Sequence, residues 1–227
     1  MYWQETKTNE NYIVPDDIVD VAYRIQCQSL PVDHAYALSQ AIIQALPWFA
    51  EESGAGLHPI HVADSGNGWM RPENPSDLLY LSKRTKLVLR LPHARAQDAK
   101  ALSGMTLDIL GNRMHIESAS VKPLSTFTTV FSRYVICEDG AEEDVFMQYV
   151  VAQLEKIGIR PKKMLCGIDH AIATPAGPIL TRSLMLAELS IDESVNLQRH
   201  GLGSGRTLGC GVFIPHKDIK DVGQALE

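Results

Sequence analysis

Cysteine is scarce: Cys27, Cys137, Cys166 and Cys210 are the only four in 227 residues, and none form a CxxC pair. That excludes a disulfide framework and a cysteine zinc site, and it makes a reducing cytoplasm the expected compartment. Long apolar runs are missing too. No stretch approaches the ~20 residues of a membrane helix, so no membrane partner is expected. The opening "MYWQETKTNENYIVPDD" is polar and acidic and lacks the basic and apolar regions of a secretion signal. No His/Asp/Glu group has metal-ligand spacing, so neither metal nor cofactor is expected. What is present is an ordinary globular balance, 45% hydrophobic and 21% charged, enough to build a core.

Positive charge is in deficit, with a formal net charge of −6, which argues mildly against nucleic acid. The average hides a pattern. Residues 1–80 hold 3 Lys+Arg against 11 Asp+Glu, whereas residues 81–122 hold 8 against 3. Basic residues concentrate in "SKRTKLVLR" and "RPKKMLCG", so an acidic protein can still present one basic face.

Periodicity supplies the element order. "DIVDVAYRIQCQSL" alternates at Ile18, Val21, Tyr23 and Ile25 and reads as a strand. In "PVDHAYALSQAIIQALPWF" the apolar residues Ala35, Leu38, Ala41, Ile42, Ala45 and Leu46 fall at helical spacing. Asp33 is the expected N-cap and Pro47 the stop. "LHPIHVADSGNGWM" reads as half of a hairpin turning at "SGNG", "KLVLRLP" as a buried strand, and "HARAQDAKALSG" as a short helix closed by Gly104. "MTLDILGNRMHIESASVKPL" is a strand pair around Gly111 or one strand after a turn. The order then repeats: strand "FTTVFSRYVIC", helix "EEDVFMQYVVAQLEKIG", a hairpin tipped at Pro175–Pro178, a helix with a Ser190/Glu193 capping box, and a final strand "GCGVFIPHK". The expected fold is therefore α+β, two tandem ferredoxin-like (RRM-like) βαββαβ units, residues 1–124 and 125–227.

One stretch needs separate treatment. "HGLGSGRTLGCGVFIPHK" carries five glycines in eleven residues, each costly to order. A nucleotide phosphate loop follows a strand and opens a helix. This one follows a helix and enters a strand, and neither GxxxxGK[ST] nor GxGxxG fits it. What remains is a loop of exposed amides that can approach a phosphate closely, with Arg199, His200 and Arg206 as further donors, or a flexible connector.

Paired ferredoxin-like units with a glycine-rich loop before the last strand resemble the RAMP superfamily of CRISPR systems. "SLPVDHAYALSQAI", "GLHPIHVADSGNGWMRPE", "KMLCGIDHAIATP" and "TRSLMLAEL" are similar to its precursor-crRNA-processing endoribonucleases, in the subtype described from myxobacterial-type systems. The resemblance runs from about Tyr12 to Lys217. It implies metal-independent cutting of repeat RNA 3′ of a stem-loop. The ribose 2′-OH attacks the adjacent phosphate, leaving a 2′,3′-cyclic phosphate and a 5′-OH. Such chemistry needs a base, an acid, and donors around the phosphorane.

By position in the resemblance, the catalytic histidine is His34, in the first turn of the first helix, where the positive helix end favours the neutral imidazole and Asp33 opposes it. Tyr36 either positions the 2′-OH or packs in the core. His58 and His61 lie on opposite faces of a strand, and either could be the second catalytic group or a structural histidine. Ser65, Asn67 and Trp69 could touch RNA from the turn. The RNA-binding set is Lys162, Lys163, His170 and Arg182 on or beside the long hairpin, with Arg199, His200, Gly203, Ser204, Gly205 and Arg206 at the loop. The expected partners are the repeat stem-loop, the mature crRNA and other Cascade subunits. A non-catalytic crRNA-binding subunit on the same scaffold, or a ferredoxin-like small-molecule enzyme, are the alternatives.

Overall fold

A computed structural model describes residues 12–60, 74, 77–137 and 142–216. The readings of His61, Ser65, Asn67 and Trp69 lie outside those residues.

The first sheet is built on β1 (Ile18–Gln26), whose Val19, Val21, Tyr23 and Ile25 alternate into the core. The buried phase starts at Val19 rather than at the expected Ile18, and Tyr23 fixes it by donating its hydroxyl to the Ala99 carbonyl at 2.6 Å. After β2 (Ser29–Pro31) comes helix α1 (Ala35–Ala45), burying Leu38 and Ile42; Pro47 then opens a 3₁₀ turn. The remaining strands of this half are β3 (Gly56–Leu57), β4 (Leu78–Tyr80), β5 (Lys86–Pro92), β6 (Thr106–Ile109) and β7 (Asn112–Lys122). The short helix α2 (Ala96–Ala99), between 3₁₀ turns, connects β5 to β6. The β6–β7 pair turns on Leu110 and Gly111, both at positive φ, as a two-residue hairpin turn requires. The sheet order β3-β5-β1-β7-β6 is the ferredoxin-like 2-3-1-4 order with β6 added on the edge, and β2 pairs with β4 beside it.

The second sheet has order β11-β8-β10-β9, the ferredoxin-like 4-1-3-2. Its strands are β8 (Val130–Ile136), β9 (Lys163–Ile172), β10 (Ile179–Ala187) and β11 (Ile214–Pro215). The final strand is shorter than expected: the glycine loop's turns extend to Gly211, and only two residues pair with β8. Helices α3 (Glu143–Lys156) and α4 (Ile191–His200) cover one face, Phe146, Val150, Leu154 and Leu197 meeting Val135, Leu184 and Leu186. The Ser190/Glu193 capping box at α4 is present in both directions.

A third, smaller cluster joins the halves. Ala35 at the start of α1 packs with Tyr134, Ile172 and Cys210 of the second half, flanked by Tyr36, Ile136, Ile179 and Leu208. This seam positions the site.

Candidate functional site at the seam

Helix α1 begins one residue later than its sequence suggests. His34, not Asp33, is the N-cap, and it supplies no side-chain capping bond. The Asp33 carboxylate instead reaches across the seam and accepts from the Ala173 amide at 2.9 Å, at the tip end of β9. His34 is 4% exposed, and its Nδ1 lies 2.7 Å from the Pro31 carbonyl. A carbonyl can only accept, so Nδ1 carries the hydrogen, and in the neutral form of the ring the lone pair is on Nε2. Tyr36, half-buried, packs in the seam cluster.

On the facing sheet a register shift brings further groups to the seam. Between Arg182 and Leu184, β10 presents one residue, Ser183, to two on each neighbour: Arg133 and Tyr134 of β8, and Gly167 and Ile168 of β9. A Cβ on Gly167 would sit 2.2 Å from the Ser183 hydroxyl, which would have to turn away from it. Bulges re-aim side chains, often beside active sites. Here the Arg133 guanidinium lies 5.4 Å from the Tyr134 ring centroid, with its Nε donating to the phenol oxygen at 3.1 Å. The His170 ring meets the same tyrosine edge-on at 5.6 Å. Arg133 and Tyr134 are not in the sequence-derived set, because the bulge that groups them is a property of three paired strands.

The glycine loop is stitched to this tyrosine. The Gly211 amide donates to the Tyr134 carbonyl at 2.6 Å, and Leu202 donates to Gly211 at 3.0 Å. Leu208 and Cys210 both donate to Gly205, and Gly209 to Arg206. The expectation of a loop of exposed amides is thereby corrected: four of these amides close the loop's own turns, the Gly211 amide ties it to β8, and the exposed tip is Gly203–Ser204, with Gly205 half-buried. Close packing accounts for the glycine density. Gly211 has φ 63°, and a Cβ there would fall 1.9 Å from the Leu202 carbonyl oxygen. Gly211→Ala is expected to cost at least about 1–3 kcal/mol from backbone strain, the clash adding to it. Denaturant unfolding checks this, and a change below about 0.5 kcal/mol would show that the loop does not need the close approach.

Arg206, expected beside RNA, turns inward. It donates to the carbonyls of Gly54, Ala55 and Arg199 at 2.9–3.3 Å and so pins the loop to the first half. Burial, with the charge of Arg90 beside it, pulls its pKa down to about 10. His58 is also structural in setting. Its Nε2 lies 3.2 Å from Asp20, which also holds Arg90 through Nε at 2.8 Å and a terminal nitrogen at 3.0 Å. Arg90 is fully buried and donates onward to the Gln198 and Phe213 carbonyls of the second half. The sequence signal for this network was a lone arginine within the apolar run "KLVLRLP".

Burial pushes the His58 pKa down, Asp20 opposing and Arg90 and Arg206 assisting. Burial alone would raise the Asp20 carboxyl, but His58 and Arg90 outweigh it and hold it below the carboxylate range. Both shifts have one sign. Between the folded and unfolded pKa of each group the unfolded chain binds more protons, so stability rises with pH and is lost as pH falls. The loss begins as pH drops through about 6.5, the unfolded histidine value, and continues below about 3.9 for Asp20. Thermal unfolding is expected to shift downward from pH 7.5 to 5.5, and less so in His58→Gln. Equal slopes for both proteins would contradict the assignment.

The other basic residues do not converge on the seam. Lys162 and Lys163 stand at the opposite end of β9 from Ile172, about 30 Å away at ~3.3 Å per residue. Lys163 pairs with Glu188. Arg182, on the sheet face opposite to its neighbour Thr181, is 16% exposed and bonded to Asp169 at 2.8 Å. Arg199 pairs with Asp17, and exposed His200 holds the Asn196 carbonyl at 3.0 Å. Among the described residues, no group of three or more His, Cys, Asp or Glu could hold a metal ion, and no helix is long and apolar enough to cross a membrane.

Two ferredoxin-like sheets in tandem, with a glycine loop closing the seam between them, define a protein of the tandem ferredoxin-like class. The family model described as Cas6 Crispr matches residues 19–218, and the chain belongs to the Cas6 family. It is 27% identical over 197 residues to the CRISPR-associated endonuclease Cas6 of Myxococcus xanthus, covering 87% of this chain and 81% of that one. Similar folds include a CRISPR-associated Cas6 structure (TM-score 0.58, 9% identity, 88% of this chain and 100% of that one). A RAMP protein described as binding different RNA substrates matches equally well (0.58, 14% identity, 88% and 100%). The product of a Cas6-related gene from Pyrococcus furiosus follows (0.56, 12% identity, 86% and 97%).

Proposed function

We propose that the chain is the CRISPR RNA-processing endoribonuclease its family membership indicates, cutting repeat RNA without metal 3′ of a stem-loop and remaining on the product within a Cascade-type complex. The observation that carries the assignment of the site is the Pro31 carbonyl bond to His34 Nδ1, which makes Nε2 the ring nitrogen that can act as a base. In this reading Nε2 takes the proton of the ribose 2′-OH. The 2′ oxygen attacks phosphorus as the bond to the 5′ oxygen breaks, the departing 5′ oxygen takes a proton from solvent to become the 5′-OH, and a 2′,3′-cyclic phosphate remains. Arg133, aimed by the bulge, is the cation for the phosphorane charge. The unit of residues 1–124 supplies the base, and the unit of residues 125–227 supplies Arg133 and holds RNA through its hairpin and the Gly203–Ser204 tip. Because His34 is 4% exposed, docking of the RNA must uncover the ring.

That same burial favours a second reading, a crRNA-binding subunit in which His34 only anchors α1. Incubation with labelled repeat RNA in EDTA separates the two. Cleavage with a cyclic phosphate end supports the first reading, and tight binding with no cut product supports the second.

A further inference from the structure

The face of the first sheet turned away from its core is only half covered. On β1 this face carries Asp20, Ala22 and Arg24; on β5, Lys86, Val88 and Arg90; on β7, Ser120 and Lys122. At the Arg90 end the second half closes over it through Gln198 and Phe213. Toward the other end Arg24, Lys86 and Ser120 are exposed, and so is Lys122, which stands opposite Asp20 at the edge of the Arg90 row.

Arg24 stands directly opposite Lys86 across the β1–β5 ladder. Like charges directly opposed on a sheet are destabilising. Lys86 registers this: the nearby Lys122 charge foremost, then slight burial and Arg24, hold its pKa below the ordinary lysine value. Among the described residues none of the three cations forms an ion pair. The acids on this face are engaged elsewhere, Asp20 by Arg90 and His58, and Glu117 by the Gln26 amide. Three uncompensated cations on one open face form a site for an anion. Between them, where a base-stacking sheet presents aromatics, stand Ala22, Val88 and Ser120. The face can therefore hold a nucleic-acid backbone but has no platform for bases.

We propose that Arg24, Lys86 and Lys122 form a phosphate-binding patch that holds the backbone of the RNA strand without reading its sequence. The proposal deepens the endoribonuclease reading but stands on a different surface from His34, so the two can fail separately. The test is a salt titration of RNA affinity for wild type and for Arg24→Gln/Lys86→Gln/Lys122→Gln, with repeat RNA and with an unstructured RNA of scrambled sequence. Each single-strand phosphate contact contributes about 0.7 to the log–log salt slope. The triple variant is expected to bind both RNAs with a slope smaller by about 2, and Lys122→Gln alone by about a third of that. A folded triple variant with the wild-type slope on both RNAs would overturn the patch. A slope lost on scrambled RNA, with wild type failing to prefer repeat RNA, would retain the patch and overturn the endoribonuclease reading.

Discussion

Arg90→Ala is expected to lower stability by about 3–5 kcal/mol, the range for breaking a buried ion pair by removing one partner. Arg90 is fully buried, and its guanidinium serves three acceptors at once. Two nitrogens clamp the Asp20 carboxylate within the first half, while the third donates to Gln198 and Phe213 of the second. Removal leaves a largely buried carboxylate with only His58 beside it and takes one donor from each of two carbonyls. It also loosens the seam, because the two contacts to the second half are lost together. Arg90→Lys is expected to recover little, since one ammonium cannot reproduce a planar fork aimed at a carboxylate and two carbonyls. Equilibrium denaturation measures this directly. A loss below about 1 kcal/mol would mean that the network behaves as an exposed pair does.

Such a network explains the limits of reading this chain as a sequence. The ferredoxin-like order was legible twice over, because apolar periodicity switches between strand and helix in the right succession and the Ser190 cap stands where the pattern starts. The glycine loop's place after a helix and before a strand was legible from its neighbours in the chain, and it lies between α4 and β11. Positions within the seam were not legible. Arg90 meets Asp20 from 70 residues away and Phe213 from 123. Nothing local in "KLVLRLP" says which partners it finds. Arg206 looked like a free cation because the Gly54 and Ala55 carbonyls that hold it lie some 150 residues earlier. Arg133 and Tyr134 were passed over because a strand's alternation assigns them to opposite faces, and only the paired register reveals the bulge. Lys162 and Lys163 looked close to the loop in charge pattern, yet the length of β9 separates them from His34's side of the seam.

The second large effect concerns His34. Removing a general base typically costs 10²–10⁴ in rate. Alanine would remove the base and the Pro31 hydrogen bond together, so His34→Ala alone cannot distinguish a catalytic ring from an anchor. Asparagine can. Its side-chain amide donates from nearly the place of Nδ1 and is a good N-cap residue, but it offers no basic atom where Nε2 stood. His34→Asn is therefore expected to fold and bind repeat RNA as wild type does, and to lose cleavage by about 10²–10⁴-fold.

The most direct measurement is single-turnover cleavage of repeat RNA in EDTA by wild type and His34→Asn, with affinity and thermal unfolding measured on the same samples. The account predicts a wild-type product ending in a 2′,3′-cyclic phosphate, and a variant of unchanged affinity and melting whose rate is lower by at least about 10². A His34→Asn protein that cuts at the wild-type rate would contradict it.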